Sequence, residues 1–255
     1  MWPVVLILAL CIPVHGQIDG EAAYANFLRW RAVPENARLT WQAATERYAA
    51  KLTADGMAPS EARQTMSIIA SRDEAVLYDP VYAGKSPSPQ TPTALLVEAV
   101  KGRRPGKALD VGMGQGRNAI FMARHGWDVT GFDVSKTGIA AAQRHAMAAG
   151  VKLNALVLSD EEFPFGQAQW DLIAIIYPIE KRSVFRVRDA LRPGGIIVVE
   201  CGHKDGKDSP FEYDTNELLR IFEGFRIRKY EDTAGAHEWM RKEMRLVRLI
   251  AEKMP

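Results

Sequence analysis

Asp110, Gly112, Gly114, Gly116 and Asp133 are residues whose types and spacing carry chemical meaning. They lie in one stretch, Lys107 to Ser135. It opens with a short apolar run, Ala108-Leu109-Asp110-Val111, and breaks at Gly112-Met113-Gly114-Gln115-Gly116. A helical pattern follows through Ile120, Phe121, Met122 and Ala123, then a second apolar run, Trp127 to Phe132, ending at Asp133. The order is strand, glycine turn, helix, strand, acid. Glycines let the backbone turn sharply and come close to a ligand. A helix that starts there offers unpaired N–H groups, which favour an anionic group. An acid at the tip of the second strand can take two hydrogen bonds from a ribose diol.

Spacing separates two cofactor classes. Dinucleotide binders use G-x-G-x-x-G/A. Here the third glycine comes one place early, and the position they require holds Arg117, a large cation. The pattern is instead D-x-G-x-G-x-G, beginning at Asp110. It resembles motif I of the class I S-adenosylmethionine-dependent methyltransferases. Asp133 falls about twenty residues past the first glycine, where the ribose acid stands in either class. An acid in the first strand suits a ligand with an ammonium group, which S-adenosylmethionine has and a pyrophosphate lacks. The plainer alternative is a glycine turn with no ligand. Against it, each glycine inside an element costs about 0.5–1 kcal/mol of backbone entropy.

The resemblance covers about residues 93–252. It implies that Asp110, Gly112, Gly114 and Gly116 hold the methionine end of S-adenosylmethionine and that Asp133 binds its ribose. It also implies that Ser159-Asp160 sets an acid against the adenine amino group. Trp170-Asp171 and Ile175-Ile176-Tyr177-Pro178 resemble motif IV, beneath the sulfonium, and Leu191-Arg192-Pro193-Gly194-Gly195 is another family marker. Among subfamilies, the stretch from Gly114 to Ser135 looks most like the small-molecule and metalloid type related to tellurite-resistance methyltransferases. The family topology would insert an antiparallel last strand between strands five and six.

A methyl on a sulfonium is already activated, so the expected chemistry needs alignment and dryness rather than a covalent residue. Tyr177, at the end of the fourth strand, and His203, after the fifth, are the catalytic candidates. Tyr177 orients an acceptor or simply forms wall. His203 sits in a polar loop. Glu180 reads as a helix-start acid or a base, and His125, before Gly126, as a structural cation at a helix end. No cluster of Cys and His suggests a metal, and the Asn/Asp-Pro-Pro-Tyr/Phe signature of many amino-methylating nucleic-acid enzymes is missing. A small-molecule acceptor is therefore expected, with no nucleic-acid partner. A non-catalytic S-adenosylmethionine-binding module and, less so, a nucleotide-dependent oxidoreductase are the competing readings.

The elements that position these residues alternate. Thr91-Pro92-Thr93 begins a helix, Ser135 caps another over Gly138 to Ala149, and Val151 to Leu158 reads as a third strand. Trp170 to Tyr177 is a fourth strand, apolar enough for burial on both faces. Helix Glu180 to Leu191, strand Ile196 to Cys201, helix Thr215 to Phe222 and strands Phe225 to Tyr230 and Glu243 to Glu252 complete the pattern. The expected fold is α/β, a doubly wound, seven-stranded, mostly parallel Rossmann-like sheet. Residues 17–92 form a helical appendage and loop ahead of a catalytic domain at 93–255. Pro34 starts one helix that runs to Asp55, Pro59 starts another, and residues 79–92 read as a proline- and serine-rich loop.

Residues 1–16 stand apart as a candidate signal peptide. Trp2 to Val14 is nearly all apolar, too short for a stable membrane span, with Val14-His15-Gly16 at the expected cleavage positions. This segment points to export or a membrane surface, whereas use of S-adenosylmethionine points to the cytoplasm. Composition is that of a globular protein, with 47% hydrophobic and 25% charged residues, which argues against disorder. A net charge of +2 argues against bulk electrostatic binding of nucleic acid.

Overall fold

The computed structural model describes residues 18–85, 89–177, 181–206, 212–238 and 242–255. The candidate signal segment and Glu180 lie outside them. The sheet has seven strands: β1 (Lys107–Val111), β2 (Asp128–Asp133), β3 (Asn154–Val157), β4 (Trp170–Ile176), β5 (Leu191–Gly202), β6 (Phe225–His237) and β7 (Lys242–Lys253). Their order is β3-β2-β1-β4-β5-β7-β6. Strands β1 to β5 run parallel, and β7 lies antiparallel to both β5 and β6. The chain reverses its winding between β1 and β4, so the crevice for a ligand opens beyond the C-terminal ends of those strands.

Alternating side chains build a core on each face. Leu109, Val111, Ile173, Ile175, Ile197 and Val199 pack with α8 (Lys181–Ala190) and α9 (Glu217–Ile221) through Val184, Val187 and Leu218. Ala108, Leu172, Ala174, Ile176 and Val198 pack with α5 (Ala94–Val100), α6 (Arg117–Arg124) and α7 (Lys136–Ala148) through Leu96, Met122 and Ala142. Burial on both faces is why β4 and β5 read as continuous apolar runs.

The appendage is α1 (Gly20–Arg31), α2 (Pro34–Ala37), α3 (Trp41–Ala54) and α4 (Pro59–Pro80). Its own small core holds Phe27, Ala44, Tyr48 and Ile69, with the Phe27 and Tyr48 rings 5.2 Å apart, edge to face. The single helix expected from Pro34 to Asp55 is broken. Thr40 caps a new helix by accepting a hydrogen bond from the Ala43 N–H, 3.3 Å away, so the chain turns at residues 38–40. The loop expected from residue 79 begins later. Helix α4 continues through Pro80 into a π turn, Val81–Lys85, where the buried Tyr82 side chain packs against Gly114 and Gly138.

The strand boundaries also shift. Edge strand β3 is shorter than expected, and β5 includes Arg192-Pro193-Gly194-Gly195, with a register shift against β4 between Trp170 and Leu172. Strand β6 runs to His237 rather than ending at Tyr230. Its second half pairs residue by residue with β7 from Asp232↔Val247 to His237↔Lys242. Backbone pairing and the Arg245–Asp232 ion pair hold a segment with no apolar alternation.

Candidate functional site: a crevice closed from two sides

Strand β1 delivers Asp110, and the glycine turn that follows uses left-handed backbone at Gly112 (φ 66°), Gly114 (φ 51°) and Gly116 (φ 80°). The Asp110 side chain is buried, 1% exposed. It accepts the Ala119 N–H in the first turn of α6. Its other oxygen, Oδ2, has no hydrogen-bond partner among the described residues. Burial raises its pKa to about 7, against the pull of Arg117 and the Ala119 N–H. A buried carboxylate oxygen without a donor is an expensive arrangement unless a ligand supplies one. Nothing lies within 4 Å of where a Cβ on Gly112 would sit, so the backbone there faces open space. The adjoining cleft is lined by Gly112, Met113, Arg117, Asn118 and Ile176.

Asp133, at the end of β2, is 7% exposed. Its Oδ2 accepts the Gly114 N–H at 2.9 Å and its Oδ1 accepts the Ser135 N–H at 2.8 Å. Burial raises its pKa to about 6, opposed by those two N–H groups. The acid thus fixes the turn, and each oxygen keeps a lone pair for a further donor. Ser135 caps α7 through the Gly138 N–H at 2.9 Å, and its hydroxyl donates to Asp79 of α4.

The appendage closes this end. The Tyr82 ring lies between two glycines: a Cβ on Gly114 would meet its hydroxyl at 2.7 Å, and one on Gly138 would meet its ring at 2.9 Å. Below it, Arg72 of α4 places Nη2 3.2 and 3.0 Å from the two carboxylate oxygens of Glu162. Those side chains are 6% and 5% exposed. Glu162 in turn accepts both the N–H and the hydroxyl of Ser159, each at 2.9 Å. Of the predicted adenine pair, Ser159 is therefore engaged by Glu162. Asp160 accepts from Ser183 on α8, and its carbonyl accepts from Arg186.

The β6–β7 hairpin closes the other end. Tyr177, just past β4, adopts φ 73°, a strained backbone for a bulky residue. Its hydroxyl donates to Glu200 Oε1 at 3.0 Å and accepts the Glu238 N–H at 3.2 Å. Burial and then the Glu200 charge hold the phenol well above its ordinary range. Glu200 is also paired with Arg248 at 2.7 Å. The His237 ring packs on Tyr177, with centroids 4.2 Å apart. Burial, then Lys242, lowers the His237 pKa, which favours the neutral imidazole. Glu238 pairs with Arg117, which also donates to the Thr91 carbonyl at 2.8 Å.

The two catalytic candidates do not share a site. His203 lies an odd number of residues from Glu200, so alternation sends it to the opposite face of the sheet. Its Nδ1 lies 2.8 Å from Asp205 and its Nε2 3.1 Å from Thr215, and it is 7% exposed. It braces the loop after β5. His125 contacts the Phe121 carbonyl at 2.8 Å, one turn back at the end of α6. Among the described residues, no group of His, Cys, Asp and Glu could hold a metal ion. Sequence reasoning missed Tyr82, Arg72, His237 and Glu238. Arg72 and Tyr82 lie on helical turns with no motif around them, and His237 and Glu238 lie at and just past the end of a strand whose pattern is polar.

Comparison with known proteins agrees with this geometry. Residues 108–195 match a family model described as a methyltransferase domain. A ubiquinone biosynthesis O-methyltransferase from Bordetella avium is 33% identical over 122 residues, 46% of this chain and 49% of that protein. A ribosomal RNA small subunit methyltransferase C from Alcanivorax borkumensis is 30% identical over 118 residues, 41% of this chain and 36% of that protein. The chain thus spans half or less of the length of these two curated relatives. The crystal structure of TehB from Haemophilus influenzae superposes with a TM-score of 0.56 at 20% identity, covering 69% of this chain and 67% of that one. That superposition establishes the fold. Residues 108–195 thus carry the similarity to a methyltransferase domain, on a fold shared with TehB.

Proposed function

We propose that the chain transfers a methyl group from S-adenosylmethionine to a small-molecule acceptor. The observation that carries this reading is the donorless Oδ2 of buried Asp110 beside the open face of Gly112. It fits a ligand that presents an ammonium group at the glycine turn. Asp133 and the turn's N–H groups suit the ribose. When bound, S-adenosylmethionine supplies a methyl group activated on its sulfonium. The protein's part is to align the acceptor and keep water out. The ring of Tyr177 is fixed as wall by Glu200 and Glu238, and Tyr82 packs over Gly114 and Gly138. His237, packed on the Tyr177 ring with its pKa lowered by burial, is the candidate to take a proton from a hydroxyl or thiol acceptor.

Cover from two sides favours a small acceptor over a polymer. The curated relatives, named for ubiquinone biosynthesis and for ribosomal RNA, differ in acceptor, so kinship does not choose one. A second reading, a non-catalytic S-adenosylmethionine-binding module, is favoured by one observation: the Tyr177 hydroxyl and both His203 nitrogens are committed to protein partners. Calorimetry with S-adenosylmethionine, S-adenosylhomocysteine and NAD, followed by an acceptor screen with labelled methyl, decides. Binding of NAD alone overturns both readings, and tight S-adenosylmethionine binding without transfer to any acceptor selects the second. For location, the apolar segment 1–16 is taken to direct the chain to a membrane. N-terminal sequencing of fractionated native protein tests this, and a chain in the cytosol that retains Met1 refutes it.

A further inference from the structure

We propose that Arg117 is the residue that selects for the α-carboxylate of the cofactor, and that Glu238 is a built-in competitor for it. The proposal rests on the S-adenosylmethionine reading above. Arg117 is the first residue of α6, and its side chain is 8% exposed beside the cleft at the glycine turn. Its carboxylate partner arrives from far away in the chain. Glu238 sits at the tip of the β6–β7 hairpin, 121 residues on, and is 30% exposed.

The charges match an amino-acid headgroup. The α-carbon of methionine carries an ammonium and a carboxylate together. Asp110 offers a buried oxygen that lacks a donor, and Arg117 is the cation whose charge acts on it. A planar guanidinium binds a carboxylate with two parallel hydrogen bonds. Two carboxylates on one guanidinium repel each other, so the headgroup and Glu238 compete. Displacing Glu238 also unsettles its N–H bond to the Tyr177 hydroxyl, 3.2 Å long, and the position of His237 beside it.

Calorimetry with two probes tests this on the full chain. S-adenosylhomocysteine carries the headgroup, and 5′-methylthioadenosine has the same nucleoside and sulfur without it. Arg117→Gln should weaken S-adenosylhomocysteine about tenfold or more and leave 5′-methylthioadenosine within about twofold. Glu238→Gln should tighten S-adenosylhomocysteine several-fold, and that gain should vanish in the Arg117→Gln background. Arg117→Lys, which keeps the charge but not the fork, should fall between the two. Equal weakening of both probes by Arg117→Gln, or unchanged or weaker S-adenosylhomocysteine binding in Glu238→Gln, overturns the competition. If the wild-type chain binds neither probe, the methyltransferase reading and this inference fall together.

Discussion

If Asp110 holds the cofactor's ammonium group as proposed, binding should depend on pH in a direction the structure dictates. The Asp110 pKa of about 7 reflects burial without a donor on Oδ2. A ligand ammonium pairs with the ionised form. With a pKa of about 7, Asp110 is ionised in roughly 3% of molecules at pH 5.5 and in about three quarters at pH 7.5. If only that form binds, affinity for S-adenosylhomocysteine rises up to about 25-fold across this window. Asp133, with a pKa of about 6, adds a smaller rise at the acid end. 5′-Methylthioadenosine lacks the ammonium, so it should report the Asp133 part alone. Titration calorimetry in buffers of different ionisation enthalpy should also show about half a proton released per S-adenosylhomocysteine bound near pH 7. Asp110→Asn should flatten the profile and abolish the release near pH 7. Stability runs the other way. The folded pKa lies above the unfolded value of about 3.9, so the folded state holds a proton that the unfolded state loses, and stability falls as pH rises from about 4 to 7. Asp110→Asn removes a cost on the order of 4 kcal/mol at pH 7.5 and almost none at pH 4, read as a gain in Tm at the higher pH only. An S-adenosylhomocysteine affinity independent of pH in the wild type, or a wild-type slope that persists in Asp110→Asn, would refute the argument.

Other expectations follow from the same geometry. Asp133→Ala should weaken S-adenosylhomocysteine and 5′-methylthioadenosine alike, by about 10- to 150-fold, the worth of hydrogen bonds to a charged group; equal affinity in titration removes Asp133 from the site. Gly114→Val forces a side chain into left-handed backbone and against the Tyr82 hydroxyl, so binding should be lost and the appendage displaced; normal binding by the folded variant would show that the turn does not hold the cofactor. Arg72→Ala strands the buried Glu162 carboxylate at a cost of about 3–5 kcal/mol, and limited proteolysis should then cut the appendage faster. If cleavage keeps its wild-type rate, the ion pair does not hold the strap. His237→Asn should lower kcat for a hydroxyl or thiol acceptor about 10²-fold or more with little change in S-adenosylhomocysteine affinity; an unchanged kcat excludes it as the base.

The unit from β1 through β2 was legible because its information is local. Asp110, the three glycines and Asp133 are set by alternation, positive φ and a strand end, all within one stretch. The seven-strand alternation was legible for the same reason. What closes the site was not, because it is written in pairs far apart in the chain: Arg72 with Glu162 across 90 residues, and Arg117 with Glu238 across 121. Tyr177 was found by position, but its strained φ and its two hydroxyl partners belong to β5 and the hairpin. His203 had the right residue type in the right loop. Strand parity, which the sequence carries only once the end of β5 is known, turns it to the other face.

The place of β7 has a consequence for how the chain assembles on the ribosome. It is made after β6 yet lies between β5 and β6, and Leu246, Val247, Leu249 and Ala251 are fully buried. When β6 emerges, the strand it must pair with does not yet exist. The growing chain can seat β1 through β5, but it carries the open edge of β5 until β7 inserts. An exposed apolar edge of this kind recruits other strands. The nascent protein therefore passes through a window, set by the synthesis of residues 203–253, in which chaperone cover or fast completion separates folding from aggregation. Slowing translation within that window should lower soluble yield more than slowing it anywhere before β5.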